Sequence, residues 1–403
     1  MARKIGIIPF EQKDWTAGEI YLQNIIRALR QLPAPEQPEL HIFCHYRCDI
    51  ASVQREYGFR KSNFHVYAFR EYESRRRKLR DFIRCLLSGR WPFGLERLTV
   101  RKGIDVMAPT LAPLNSRFPT AWMGWIPDLQ HKYFPENFAS SELKYRDQTF
   151  KTLLEEASLV ILSSRHALEG MKKWFNGSSE RTGILSFPAV PDKSWYEGDL
   201  GTALAKYKLP NKYLMFPCQF WVHKNHETLF EAIRILVQER GLSSVVLVCS
   251  GHQEDYRKPG HFEKLMSFVK KEGLHDHIRC VGLLPRDDQL LLFRGAAAIV
   301  QTSLFEGWCL MVEEAESLSK KIYLSNIEVH KEQDPRKASY FDPLEASQLA
   351  DLIAADWESL PAGINRDEEI HSFELLKEES AQFGREFLNL ADRAIANFKK
   401  GRI

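Results

Sequence analysis

Long apolar runs are missing from this chain: none approaches the roughly 20 residues that span a bilayer. The N-terminus, Met1-Ala-Arg-Lys-Ile-Gly-Ile-Ile-Pro9, has only a short apolar stretch before its first proline, too short for a signal peptide. Cysteine is sparse and irregular. Seven cysteines, an odd number without regular spacing, argue against a disulfide framework and for a reducing compartment. A charge excess is missing too. With 56 Lys and Arg against 53 Asp and Glu, a net charge of +3 points to no nucleic-acid partner. A zinc motif is also lacking. His41, Cys44, His45 and Cys48 lie close together, but on an extended segment with no second ligand pair, so they read as strand-end residues. The expectation is a cytoplasmic protein without a metal site.

What is present is an ordinary globular composition, 44% hydrophobic and 27% charged over 403 residues. That length is too great for one core and predicts two domains. Strand-like and helix-like stretches alternate throughout, the pattern of parallel sheets covered by helices. In the first half Lys4–Ile8, Leu40–Phe43, Asp105–Met107, Ala121–Ile126 and Leu159–Ser163 read as strands, with helices over Ile20–Leu32 and about Ser141–Glu156. Between Ser186 and Pro210 three prolines interrupt the periodicity. A second series follows: strands Tyr213–Phe216, Val245–Cys249, Ile278–Val281 and Ala296–Thr302, with helices Glu227–Glu239, Phe262–Glu272 and Asp287–Arg294 between them.

These runs predict an N-terminal α/β domain over 1–190, a linker over 191–210 and a second α/β domain over 211–379. A helix over about 380–403 is free to return to the first domain. Two similar parallel-sheet halves predict a cleft between them. Open α/β sheets bind ligands beyond the carboxyl ends of their strands, and Gly18, Asp128, Gln219, Gly251, Gly282 and Glu306 all fall at such ends.

The densest signal is Ser303-Leu-Phe-Glu306-Gly-Trp-Cys-Leu-Met-Val-Glu-Glu314-Ala. Glu306 follows an apolar strand and occupies a turn before the next helix. On that helix Leu310, Val312, Ala315 and Leu318 form the apolar face. Glu314 stands four residues from both Leu310 and Leu318, so it points inward with them. Glu313 and Glu316 share a face with Lys320 and suit solvent. An inward carboxylate is costly unless something polar meets it, and a ligand is the reading adopted here. The plainer reading, a glutamate-rich surface helix, explains Glu313 and Glu316 but not Glu314.

A second signal is Pro217-Cys-Gln-Phe-Trp-Val-His-Lys224-Asn225-His226, which leads from a strand into a helix. A lysine at a helix N-terminus adds a full charge to exposed backbone N–H groups, a seat for phosphate, and Asn225 is a natural cap. A solvated loop lysine is the bland alternative. The chain contains no Asp-x-Asp triplet, so a metal clamp on a diphosphate lacks its usual ligands. Lys224 and helix dipoles would then neutralise a leaving group.

On these residues the chain resembles the group 1 retaining glycosyltransferases of the GT-B fold (family GT4), over nearly its whole length. The specific part runs from Tyr213 to Glu345. It contains Lys224-Asn225, Cys249-Ser-Gly251, Val281-Gly282 and the Glu306-x7-Glu314 pair. The resemblance implies two Rossmann-like domains and transfer of a hexose-type sugar from a nucleotide diphosphate sugar, with retention and without a metal or other cofactor. It implies a saccharide or lipid-linked saccharide acceptor, in surface polysaccharide or glycoconjugate synthesis.

By resemblance, Glu306 meets the donor sugar, Glu314 the ribose hydroxyls and Lys224 the diphosphate. Gln219 stands where the family usually has an arginine. Backbone N–H groups of Trp308, Cys309 and Leu310 would face the donor, and Gly282 to Leu284 would border the nucleobase. Trp15-Thr-Ala-Gly18 resembles the family's glycine-rich loop, with Gly18 allowing close backbone approach. Trp125-Ile-Pro-Asp128-Leu-Gln-His131 resembles its His-Asp turn, with Pro127 in the histidine's place. Asp128 is assigned a catalytic contact and His131 a sugar or acceptor contact, though either equally suits a helix cap. Two other readings stand beside this one. One is a different enzyme of the same fold, a sugar phosphorylase or a nucleotide-sugar epimerase; phosphorylases of this fold need a lysine for pyridoxal phosphate, and none stands out. A non-catalytic nucleotide-sugar-binding subunit is encouraged by Gln219 and Pro127 and opposed by the two glutamates.

The last feature is the amphipathic segment 74–87. Leu79, Phe82, Ile83, Leu86 and Leu87 follow helical spacing among five arginines and Lys78. Its stripe is expected to pack on the first domain. The free arginines remain compatible with a peripheral contact at the inner face of an anionic membrane.

Overall fold

The computed structural model describes residues 3–10, 16–58, 63–68, 74–87, 94–175, 179–191 and 193–401. The chain divides into two compact units. The first comprises Met1–Leu129, Ser140–Pro188 and Glu379–Ile403, and the second Gln130–Ala139 and Ala189–Glu378.

The first unit holds a seven-stranded sheet: β1 (Lys4–Ile7), β2 (Glu39–His45), β3 (Phe64–Tyr67), β4 (Val106–Thr110), β5 (Ala121–Ile126), β6 (Leu159–Leu162) and β7 (Thr182–Ile184). Their order is β3-β2-β1-β4-β5-β6-β7, and every pairing is parallel. The second unit holds six strands: β8 (Leu214–Phe216), β9 (Leu247–Cys249), β10 (Ile278–Cys280), β11 (Ala298–Gln301), β12 (Ile322–Ser325) and β13 (Ala338–Phe341). Their order is β10-β9-β8-β11-β12-β13, again all parallel. The central strands are short apolar runs buried at every position, as in β5, β6 and β11. Such runs suit sheets covered on both faces.

Both sheets are wound the same way. The chain builds outward from one central strand, returns, and builds outward on the other side. The reversal lies between β1 and β4 in the first unit and between β8 and β11 in the second. Loops leaving adjacent strands at a reversal diverge to opposite faces and open a crevice at the strand ends.

Several expectations change in detail. The segment 191–210 is not a bare linker. It carries a 3-10 turn (Lys193–Tyr196) and the helix Leu200–Tyr207, and Trp195, Ala203 and Leu204 join the second unit's core. The final helix begins earlier than expected and runs over Arg366–Lys400. Its later part lies in the first unit, where Gly384 packs close to Ala28 and Asp392 pairs with Arg3. Gly18 sits within the helix Thr16–Gln31 rather than in a loop, and Trp15 lies outside the described residues. Lys320, expected in solvent, is buried and donates to the carbonyls of Ala296 and Gly363. Burial lowers its pKa to about 8.

The basic helix forms over Arg75–Leu87, but its apolar stripe is not packed. Leu79, Ile83, Leu86 and Leu87 are 61%, 47%, 54% and 83% exposed. No described helix is long and apolar enough to cross a membrane.

Candidate active site

Lys224 follows β8 and Glu306 follows β11, the two strands at the reversal of the second sheet. The loop after β8 is pinned at three places. Gly251 has φ +146°, and a Cβ there would lie 2.4 Å from the Cys218 carbonyl oxygen, so only glycine allows this approach. The Phe220 N–H donates to the His252 carbonyl at 3.0 Å. Finally, Asp255 accepts the Val222 N–H at 3.4 Å while Arg257 grips the same carboxylate at 2.9 and 3.2 Å. The Arg257 guanidinium also lies 4.7 Å from the Trp221 ring centre.

Lys224 ends a 3-10 turn (Val222–Lys224), and its ammonium donates to Glu306 Oε1. Both side chains are largely buried, at 15% and 11% exposure. Burial by itself lowers the lysine pKa, but the Glu306 carboxylate more than offsets it, so the pKa is raised. The ammonium is therefore charged throughout the accessible pH range. Asn225 does not cap the next helix with its side chain. It adopts φ +61° and donates to the carbonyls of Thr302 and Pro343, tying the loop to the end of β11. Thr302 returns the tie by donating to the Lys224 carbonyl at 2.8 Å.

Glu306 has further partners that sequence reasoning did not name. Ser303 Oγ donates to its Oε1 at 2.7 Å, and Gln301 Nε2 approaches at 3.4 Å. Gln301 Oε1 lies 2.9 Å from the same Ser303 hydroxyl, an alternative acceptor for its one proton, and Gln301 Nε2 meets the Cys309 sulfur at 2.9 Å. Burial pushes the Cys218 thiol up to about 12 and raises Cys309 further, so both stay neutral beside the ion pair. Behind them Ser325 Oγ donates to the Ser303 carbonyl and stands 3.0 Å from His330 Nδ1. Gln301 and Ser303 lie within five residues of Glu306, yet spacing alone does not show that their side chains turn to its carboxylate, and His330 joins the group only through the end of β12.

Glu314 is buried on the helix Leu310–Ser317, as its spacing implied, and pairs with Arg286. Trp308 and Leu310 flank that helix start, half-buried. Cys309 departs from expectation. Its N–H is taken by Gln333 Oε1 at 3.3 Å, and Gln333 Nε2 returns to the Cys309 carbonyl at 3.0 Å, so this amide is engaged within the protein. Leu284 packs against the second unit's core beside Gly282, whose φ is +73°. Gln219 is half-buried in the pinned loop and brings no second cation to Lys224.

Asp128 and His131 part company. Asp128 belongs to the first unit and pairs with Arg146 at 3.4 Å. His131 belongs to the second, within the excursion Gln130–Ala139, and is buried edge-on to Phe138. The same excursion brings Tyr133 within 5.0 Å of Phe305, next to Glu306, and Gln130 within 3.4 Å of Arg257. Gly18 lies in the first unit with Asp128. The structure thus assembles Lys224, Glu306, Gln219, Cys309 and Glu314 within one unit.

Residues 205–355 match the family model of the glycosyl transferases group 1. No curated protein matches the chain. Among solved structures, the chain is similar to HepE from Anabaena in complex with UDP and glucose, at 14% identity and a TM-score of 0.67, covering 96% of this chain and 99% of that one. It is also similar to WaaG, a glycosyltransferase involved in lipopolysaccharide biosynthesis, at 12% identity and a TM-score of 0.57, covering 97% and 98%. A third likeness, at 10% identity and a TM-score of 0.59, is to an Escherichia coli trehalose-6-phosphate protein bound with UDP-2-fluoro glucose, covering 96% and 99%. At these identities the likeness establishes the fold, which is GT-B.

Proposed function

From a group 1 glycosyltransferase domain set in a GT-B chain, we propose a retaining transferase that moves a sugar from a nucleotide diphosphate donor to a saccharide or lipid-linked acceptor. The observation that carries this reading is the buried Lys224–Glu306 pair at the reversal of the second sheet, with the buried Glu314 eight residues on. A cation and a carboxylate side by side suit the two ends of a glycosyl diphosphate.

In this reading the Lys224 ammonium leaves Glu306 for the diphosphate oxygens and stabilises the charge that grows as the glycosidic bond breaks. Glu306 then accepts from hydroxyls of the sugar, held in place by Ser303 and Gln301. Helix N-termini and Lys224 take the place of a metal ion, since the chain has no Asp-x-Asp triplet. Among the described residues Glu306 is the carboxylate that pairs with Lys224, and front-face attack needs no second one as a nucleophile. There the departing phosphate takes the acceptor's proton and positioning supplies much of the rate. Asp128 and His131 are proposed to serve the acceptor side. The exposed stripe of the helix Arg75–Leu87, edged by arginines, supports a peripheral contact with an anionic membrane that carries such acceptors.

A thermal-shift panel of UDP-, GDP-, ADP- and dTDP-sugars tests the donor site. One member should raise the melting temperature and be slowly hydrolysed, with hydrolysis abolished in Glu306→Ala. Stabilisation without turnover in the wild type favours the binding-subunit reading instead, and no shift from any member removes the donor-site assignment.

A further inference from the structure

Among the described residues, the Glu314 carboxylate receives its hydrogen bonds from Arg286 alone. The contact is a fork: Nη2 donates to Oε1, and Nη1 reaches Oε2 at 3.4 Å. Glu314 is 5% exposed in its side chain and Arg286 32%, so the pair has a buried acceptor and an open donor.

Arg286 is placed against local preference. It is the first residue of the helix Arg286–Gly295, where the helix dipole disfavours a cation. Tertiary contacts hold it there. Besides Glu314, Gln289 Oε1 accepts from Nη1 at 3.0 Å, and the ring of the buried Trp195 lies 5.2 Å from Cζ. The guanidinium is thereby fixed in position and in plane.

A carboxylate offers about four lone-pair positions, two on each oxygen. The arginine fork uses one on each. One acceptor position on each oxygen is left, a pair that matches the two neighbouring hydroxyls of a ribose. We propose that Arg286 is a positioning residue for the nucleoside of the donor. It holds the plane of the Glu314 carboxylate so that both oxygens face the 2′- and 3′-hydroxyls together. The inference rests on the donor-site reading above and adds a residue to it. Lysine is no substitute, because a single ammonium cannot fix the plane of a carboxylate.

The test uses calorimetric affinities of the full chain. The probes are the nucleoside diphosphate selected from UDP, GDP and ADP, and its 2′,3′-dideoxy analogue. The wild type should bind the dideoxy analogue about 10–100-fold more weakly, the range of hydrogen bonds to a charged group. Arg286→Gln and Arg286→Lys should both lose affinity for the ribose form, about tenfold, and keep that for the dideoxy form, so that discrimination shrinks. Melting curves of both variants confirm that they fold. Discrimination retained in both variants, or equal weakening of both nucleotides, overturns the inference and leaves the donor site standing. A wild type that binds both nucleotides equally overturns the ribose role of Glu314 and this inference with it. A wild type that binds none of the three but binds dTDP, which lacks the 2′-hydroxyl, overturns this inference and leaves the donor site standing. One that binds none of the four removes the donor site and the role of Arg286 with it.

Discussion

The two sheets share one strand order, yet their reversal points hold different chemistry. Beyond β8 and β11 the chain buries a lysine against a glutamate and braces both with Ser303, Gln301 and the Asp255–Arg257 clasp. At the first reversal, Phe10 just beyond β1 stacks on Trp125 of β5 at 5.6 Å, and Tyr21 lies over the same indole at 3.9 Å. The indole nitrogen donates to Ser163 Oγ at 3.1 Å. The order shared over six strands, to which the first sheet adds β7 at its edge, therefore opens a crevice and leaves its contents to the loops. The second unit offers an ionic seat and the first an aromatic wall.

The sharpest way to break this contrast is Lys224→Ala. It removes the cation and leaves Glu306 buried without its partner, which costs about 3–5 kcal/mol of stability for a buried pair. Turnover of the donor sugar should fall by about 10²–10³, the loss expected when a transition-state donor is deleted. Lys224→Arg keeps the charge and should recover the melting temperature more fully than the rate. Equal rates for wild type and Lys224→Ala, measured on folded protein, would sink the ionic seat.

A second, smaller effect belongs to the first unit. Binding to anionic vesicles should be detectable at low salt and weaken about tenfold or more by 0.5 M salt, since exposed charges are screened. Replacing Leu79, Ile83 and Leu86 together by serine should abolish it while donor hydrolysis persists. A wild type that ignores the vesicles at low salt would remove the membrane role.

The smallest effect tests what the units have in common. Burial lowers the pKa of His65 in the first unit, aided by Lys102 and His41, and of His330 in the second, where Glu306 opposes the shift. Both reach about 4, below the 6.5 of an unperturbed histidine. Below 6.5 the unfolded chain gains protons that the folded chain refuses. This stabilisation is therefore complete above pH 6.5 and is lost as pH falls toward 4. The melting temperature should drop on the order of 5 °C from pH 7.5 to pH 5, and His65→Phe should flatten part of that slope. A flat pH profile between those values contradicts the assignment.

Much of this was legible in the chain. Ala121–Ile126 is a strand over the span its apolar run implied, and the helix expected at Ser141–Glu156 starts one residue earlier. The inward Glu314 was legible because helical spacing ties it to Leu310 and Leu318. Outer strands such as β3, β7 and β13 went unread, since their half-polar patterns resemble loop until a neighbour pairs with them. The Cys309 amide was misjudged because Gln333, its partner, comes from another helix.

By itself, then, the sequence determined that two parallel-sheet halves form, that Glu314 turns inward, and that Glu306 and Lys224 fall at strand ends, which made the three the candidates for the site. These are local facts, carried by periodicity and by charge at the ends of apolar runs. Tertiary structure alone decided that Lys224 and Glu306 touch, that Arg286 holds Glu314, and that the excursion Gln130–Ala139 packs beside Phe305. Each joins residues separated by tens of positions or more, brought together by strand order and loop packing, and spacing along a chain carries no information about either.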